Sequence, residues 1–393
     1  MEQVVRVWRR RAFPCLVLGI LAIPLLAHVF LPQAAQSDNR VLARSPGVPR
    51  DFSTLVNWPQ AADAYLKDHF GLRAQLIRVY NAFNWRVLGI STDPHVVVGR
   101  NGRLFLSDVH IGNPFLLGDC GAWWPDKDKS AFAGEAAVAI RRLQSAFPQF
   151  RVFIVPTSDV LYPAELPEWV QRTCAGKTPL VEDWMSRLPP DVRGLIAYPI
   201  ETAKHLPLPP DAPLIPEHNF HWKGRGVSLL MEAYADDQMH LDRQIVPTWK
   251  WVTRPADFGR FLPGSELTTT AEEAVWPPGV TFCEQENCLH AQPLNDLTLP
   301  RETLRVTRGC TGPRLLMLSD SFGWAAAAGL IEYFCDELMI NMNDFQLMSE
   351  TDRRALWTRL KENWRDAHVL AVVNVGNTTL FARFVKSIPQ GSD

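Results

Sequence analysis

The chain has 393 residues, enough for one large α/β domain with appendages, and 47% hydrophobic residues supply a sizeable core. Forty Lys and Arg against 42 Asp and Glu leave a formal net charge of -2, which excludes a global basic field for nucleic acid and a disordered polyelectrolyte. Thirty-one prolines point to long connecting loops, while fourteen tryptophans fit either a core or a carbohydrate groove.

Arg9-Arg10-Arg11 precede an apolar run from Ala12 to Leu31 in which His28 is the one ionisable residue. Twenty residues at about 1.5 Å rise match the hydrocarbon thickness of a bilayer, so the run is expected to be an uncleaved N-terminal transmembrane helix. The arginines place its start in the cytoplasm and the body outside. A cleaved signal peptide, with small residues at Ala34-Ala35, is the alternative, and both export the body. Residues 1–35 thus form a cytoplasmic stub and anchor, 36–57 a proline-punctuated tether, and 58–393 the main domain.

Helical periodicity runs from Pro59 to about Leu88 with a break at Gly71. Val96-Val97-Val98 and Leu104-Phe105-Leu106 flank Asn101-Gly102, a hairpin signal. Beyond it, helices are predicted over Asp128–Phe147, Leu180–Leu188, Gly224–Tyr234, Gly323–Phe334 and Asp352–Arg365. Strands are predicted over Arg151–Val155, Leu315–Leu318 and Val369–Val373. The alternation predicts a three-layer α/β fold with a mainly parallel sheet. Residues near 237–310, rich in Pro, Trp and polar side chains, break it and read as an insertion carrying substrate-facing loops. Outside the apolar run, Cys120, Cys174, Cys283, Cys288, Cys310 and Cys335 allow up to three disulfides, as an oxidising compartment permits. Cys283 with Cys288 could close a small loop, or both could be buried thiols. The spacings give no metal site and no nucleotide-binding loop.

Ser319-Asp320-Ser321-Phe322-Gly323 follows the Leu315–Leu318 strand, where ligands of open α/β sheets bind. Ser321 is a candidate nucleophile whose own amide can serve an oxyanion; alternatively Asp320 or Ser321 caps the helix. Upstream, Asn219-Phe220-His221-Trp222 places Asn219 and His221 on one side of an extended loop. His221 is the candidate general base and Asn219 its orienter, with Glu217 or His218 as possible substitutes. Trp222, Asp320 and Trp324, beside these residues, are candidates for substrate binding. Asp68-His69 resembles an acid/base pair, but its place in a helical pattern favours a structural role, with Arg73 able to pair with Asp68.

Three landmarks resemble alginate O-acetyltransferases of the AlgJ/AlgX type: Asp68-His69-Phe70-Gly71-Leu72-Arg73 with Val98 to Phe105, His221-Trp222, and Asp320-Ser321-Phe322. Val155-Pro156 with Tyr162-Pro163, and Asp257 to Leu262, resemble further family segments in order, so the similarity spans roughly residues 50 to 380. Asn219 stands where the family has Asp, Ser319 where it has Gly, and Ser158 where Lys often follows Val-Pro. The resemblance implies an SGNH hydrolase-like domain and an O-acetyltransferase that acetylates hydroxyls of an alginate-like exopolysaccharide through an acetyl-serine at Ser321. It needs no cofactor, and it implies a membrane-bound O-acyltransferase partner that supplies acetyl groups. An acetylesterase, or a catalytically silent polysaccharide-binding scaffold, are the alternatives; the scaffold draws on the amide at 219, which cannot neutralise an imidazolium.

Overall fold

Aliphatic runs too short for helices set the sheet, and the helices between them are amphipathic, so each face of the sheet can be covered. The computed structural model describes residues 43–69, 72–107, 115–284 and 303–388, with scattered positions between 14 and 27, and every count below refers to these residues. Their strands are β1 (Val96–Val98), β2 (Leu104–Leu106), β3 (Phe150–Val155), β4 (Ile196–Ala197), β5 (Thr248–Pro255), β6 (Thr268–Val275), β7 (Thr281–Glu284), β8 (Thr303–Thr307), β9 (Arg314–Ser319), β10 (Asp336–Asn341) and β11 (His368–Asn374).

The chain divides into two units, residues 1–93 with 259–266, and residues 94–258 with 267–393. The second holds a seven-stranded sheet in the order β4-β3-β11-β9-β10-β8-β7. The first five strands of that order are mutually parallel, and β8 and β7 add on antiparallel. Alternation along the strands feeds two cores. Val152, Ile154, Leu316, Leu318, Ile340 and Val369 pack with Ile140, Leu143, Leu360 and Phe384 from helices Asp126–Ala146, Glu350–Trp364 and Thr378–Ser387. Phe153, Met317, Met339 and Val372, on the other face, pack with Leu230, Met231, Ala326 and Leu330 from helices Arg225–Tyr234 and Gly323–Leu330. Helices therefore cover both faces of a mainly parallel sheet.

β1 and β2 pair antiparallel across a turn in which Asn101 and Gly102 both take positive φ, 59° and 86°, as the Asn-Gly signal predicts. In the insertion near 237–310, β5 and β6 form a two-stranded antiparallel ribbon and β7 and β8 join the main sheet; its described residues thus carry four strands among their loops. The strand β10 was not among the predicted elements, because its Asp336-Glu337 start breaks the apolar pattern.

In the first unit, helices Phe52–His69 and Arg73–Phe83 flank the predicted break, and one wider turn continues the second to Leu88. Helix thus replaces the expected tether over 52–57, since Asp51 and Thr54 exchange hydrogen bonds at the start of the first helix. Among the described residues no helix is long and apolar enough to cross a membrane; the run from Ala12 to Leu31 lies for the most part outside them, as do Ala34, Ala35, Phe70, Gly71 and Cys288. Disulfides join Cys120 to Cys174 and Cys310 to Cys335, and Cys283 is also disulfide-bonded.

Candidate active site

Ser321 sits in the turn between β9 and the Gly323–Leu330 helix, two residues past a strand flanked in register by β10 and β11: Ser319 pairs with Asn341 on one side and Val372 on the other. The turn is pinned by Asp320. Its buried carboxylate accepts from the Phe322 amide at 2.9 Å, the Asn374 amide at 2.9 Å, Asn374 Nδ2 at 2.8 Å and Asn377 Nδ2 at 3.2 Å. Burial pushes this carboxyl above the usual range, against the opposing hydrogen bonds from Asn374, Phe322 and Asn377. A Cβ at position 323 would stand 2.0 Å from Ser319 Oγ, so only glycine lets the helix begin this close to the strand. The result leaves Ser321 exposed while Asp320 and Phe322 on either side are buried.

The second element arrives on the loop before the Arg225–Tyr234 helix, where Gly224 at φ 72° makes a turn that L side chains rarely adopt. Trp222, fully buried, donates its indole N–H to the Phe322 carbonyl at 3.0 Å and so ties the His loop to the Ser turn. His221 Nε2 then lies 2.9 Å from Ser321 Oγ, and His221 Nδ1 lies 3.0 Å from Asp257 Oδ2. The backbone N–H of His221 donates to the same Asp257 oxygen at 3.1 Å, and Lys223 Nζ donates to Oδ1 at 3.0 Å. Burial opposes ionisation of Asp257, but the hydrogen bond and charge of His221 and the charge of Lys223 outweigh it and hold the carboxyl well below the usual carboxylate range. A carboxylate that stays ionised fixes the Nδ1–H tautomer, which leaves Nε2 free to accept the Ser321 proton.

The residue against Nδ1 is therefore Asp257, and the expected role of Asn219 is corrected. The Asn219 side chain is wholly buried; its oxygen accepts the Asp257 backbone N–H at 2.9 Å and its nitrogen donates to Thr269 Oγ1 on β6. It positions the segment that carries the carboxylate rather than the imidazole. Asp257 lies two residues past β5, 36 positions from His221, and no spacing in the sequence joins the two; the available signal was the family-like segment that begins at Asp257. Trp222 and Asp320 are also corrected as substrate-binding residues, because both are buried and their polar atoms are spent on Phe322, Asn374 and Asn377. Trp324 is partly buried against the core that includes Leu330 and Met231. Glu217 and His218 do not replace Asp257: they offer backbone carbonyls to Leu104 and Phe258. Asp68 accepts the Ala43 amide at 2.7 Å, and His69 Nδ1 meets the Tyr65 carbonyl at 3.0 Å, so this pair is structural. Among the described residues no group of three or more His, Cys, Asp or Glu side chains could hold a metal ion.

Fold and site together define an α/β protein with a parallel sheet and a Ser-His-Asp array at the sheet's carboxyl edge. Several solved structures resemble it. A DHHW family protein from Eubacterium siraeum is 15% identical with a TM-score of 0.50, covering 75% of this chain and 98% of that one. Bacillus cereus PatB1 is 12% identical with a TM-score of 0.47, covering 73% and 98%. The O-acetyltransferase domain of Pseudomonas putida AlgJ is 13% identical with a TM-score of 0.44, covering 75% and 99%. The first of these likenesses is one of fold. No protein-family model matches the chain, and no curated protein does.

Proposed function

We propose that this protein is an SGNH-type serine O-acetyltransferase that moves acetyl groups onto hydroxyls of an exported, alginate-like polysaccharide. The observation that carries the reading is the continuous hydrogen-bonded array from Ser321 Oγ through His221 to Asp257. In the first half-reaction Ser321 Oγ attacks the acetyl carbonyl of the donor as His221 Nε2 takes the hydroxyl proton. The Ser321 amide contributes to binding the developing oxyanion, and Asp257 neutralises the imidazolium. Collapse expels the donor's leaving group, which takes the proton from His221, and leaves acetyl-Ser321. A sugar hydroxyl then gives its proton to His221, attacks the ester and restores the free serine.

The apolar run from Ala12 to Leu31 and the disulfides support an inner-membrane anchor with the domain in the periplasm. Outside the cytoplasm the acetyl donor would be passed on by a membrane-bound O-acyltransferase rather than by free acetyl-coenzyme A. The exposure of Ser321 favours one second reading, an acetylesterase in which water replaces the sugar hydroxyl. The silent scaffold loses its basis, since the negative charge that Asn219 lacks is supplied by Asp257.

The test incubates the full chain in detergent with 4-nitrophenyl acetate, with and without an alginate oligosaccharide. A gain of one acetyl group on the Ser321 peptide, turnover lowered by about 10⁴-fold or more in Ser321→Ala, and acetylated oligosaccharide by mass spectrometry are expected. Acetate released without acetylated sugar would assign the esterase, and ester turnover untouched in Ser321→Ala would overturn both readings.

A further inference from the structure

The first unit has its polarity inverted. In the helices of residues 52–88 the fully buried positions are Asp68, Asn81 and Asn84, all polar. Each spends its side chain on unit-internal hydrogen bonds: Asp68 accepts from Ala43, Asn81 donates to the Pro263 carbonyl at 3.1 Å and accepts from Thr92 at 2.6 Å, and Asn84 donates to the Tyr80 carbonyl at 2.8 Å. The outward positions are apolar. Leu76, Val79, Tyr80, Phe83 and Val87 are 52–68% exposed and recur at i, i+3, i+4, i+7 and i+11, which makes one stripe along the helix. Phe52, Leu55, Val56 and Leu66, at i, i+3, i+4 and i+14, are exposed on the preceding helix, with Phe52 81% exposed. In water such a surface is costly, and a run of large side chains this long marks a surface that is covered in use.

The sequence says by what. Leu31 closes a twenty-residue apolar run, and twenty residues separate it from Phe52. At no more than about 3.5 Å per residue, the first of these helices stays within about 70 Å of the end of that run. Arg78 and Arg86 are exposed on the same helix as the second stripe, Arg86 paired with Glu266 at 2.9 Å, so that Arg78 is the cation offered to anionic headgroups. A hydrophobic stripe with a flanking cation, tethered near a bilayer, is the pattern of a helix that lies in the membrane interface.

We propose that the apolar stripe of Leu76, Val79, Tyr80, Phe83 and Val87, with that of the Phe52–His69 helix, is a second membrane contact that seats this unit in the lipid interface. The anchor would hold the chain to the bilayer at one point; an interfacial helix pair adds a second. The inference rests on the reading of residues 12–31 as an anchor and does not depend on the chemistry at Ser321.

The full chain is reconstituted into vesicles of phosphatidylethanolamine and phosphatidylglycerol with a specific protease site placed between residues 33 and 42. After cleavage the body is expected to stay with the sedimented vesicles, and a Val79→Glu, Phe83→Glu, Val87→Glu variant to be released about tenfold more readily, with an unchanged circular dichroism spectrum. A photoreactive benzophenone side chain at position 79 of the uncleaved chain should label lipid, while one at Val138, which is 67% exposed in the other unit, should not. Full release of the native body on cleavage overturns the proposal. So does labelling of a second copy, or of the chain's own residues 12–31, in place of lipid. Retention is read without substrate, so an inert Ser321 would leave this result unaffected and the two proposals fail separately.

Discussion

An amide at 219 and a carboxylate at 257 divide work that the sequence pattern places on one residue. His221 needs a negative charge beside Nδ1 to hold its tautomer and to stabilise the imidazolium, and Asp257 supplies it at 3.0 Å. Position 219 lies wholly buried and needs both an acceptor for the Asp257 N–H and a donor for Thr269 Oγ1, a pair of demands that an amide meets in one side chain. Two carboxylates here would repel in a buried pocket, so the neutral residue at 219 follows from the acid at 257. Asp257→Asn is expected to lower kcat by about 10³–10⁴-fold with little change in KM. Asn219→Ala, which loosens the segment but leaves the charge, is expected to cost about 10–100-fold, and its stability to fall by about 1–3 kcal/mol from the orphaned Asp257 N–H. Steady-state ester hydrolysis orders the two, and a larger loss at 219 than at 257 would return the orienting role to the amide. Ser321 and His221 were legible because each sits in a short local motif, a strand-to-helix turn for the serine and a loop leading into a helix for the histidine; Asp257 was not, because its meeting with His221 is made by tertiary folding of the β5–β6 ribbon.

The elements that carry a strong period appear where the sequence places them, within a few residues: Asp126–Ala146, Phe150–Val155, Arg225–Tyr234, Arg314–Ser319, Glu350–Trp364 and His368–Asn374. What escaped were β4 and β7, short strands at the two edges of the sheet, β5 and β6, which form a two-stranded ribbon where little apolar patterning is required, and β8, an interior strand of five residues in which buried Leu304 and Val306 flank Arg305. β10 escaped for another reason: its first two residues are acids. The connection before it is held covalently, as Cys310, between β8 and β9, is joined to Cys335, the residue before β10, and the Cys335 N–H donates to the Pro313 carbonyl at 2.9 Å. This bridge closes a loop over a sequence separation of 25 residues. On the chain-entropy account its removal costs about 3–4 kcal/mol, so Cys310→Ala/Cys335→Ala should lower the urea midpoint well beyond any change in the slope of the transition. The same variant should leave the ordering of Asp257→Asn and Asn219→Ala unaltered, since the bridge sits at the start of β10 and Ser321 lies past the opposite end of the neighbouring β9.

At the scale of the whole molecule, buried acids set how stability responds to pH. Burial raises the carboxyls of Asp119, Asp159, Asp320, Glu332 and Glu337; Glu332 is pushed up to about 7, and Glu337, with Arg308 as the opposing charge and Asp336 as a like charge, goes well above its usual value. Each acid of this kind favours folding in its protonated form, so its contribution is complete below the unfolded value near 4 and is lost as pH rises through the folded one. Asp257 has the opposite sign: its contribution is present above about pH 4 and is lost only in stronger acid, and so it stays constant over the neutral range. Burial lowers His218 and His368, which therefore favour the higher pH, but the five raised acids outnumber them, and the protein is expected to be more stable at pH 5 than at pH 8. Glu337 gives the sharpest check, because both of its carboxylate oxygens are buried in β10 without a hydrogen-bond partner. Glu337→Gln keeps the shape and removes the titration, so it should raise the melting temperature by about 2–4 °C or more at pH 8 and change it little at pH 5. Equal shifts at the two pH values would show that Glu337 titrates alike in the folded and unfolded chain, and a fall at pH 8 would show that its charge is compensated by a partner such as Arg308.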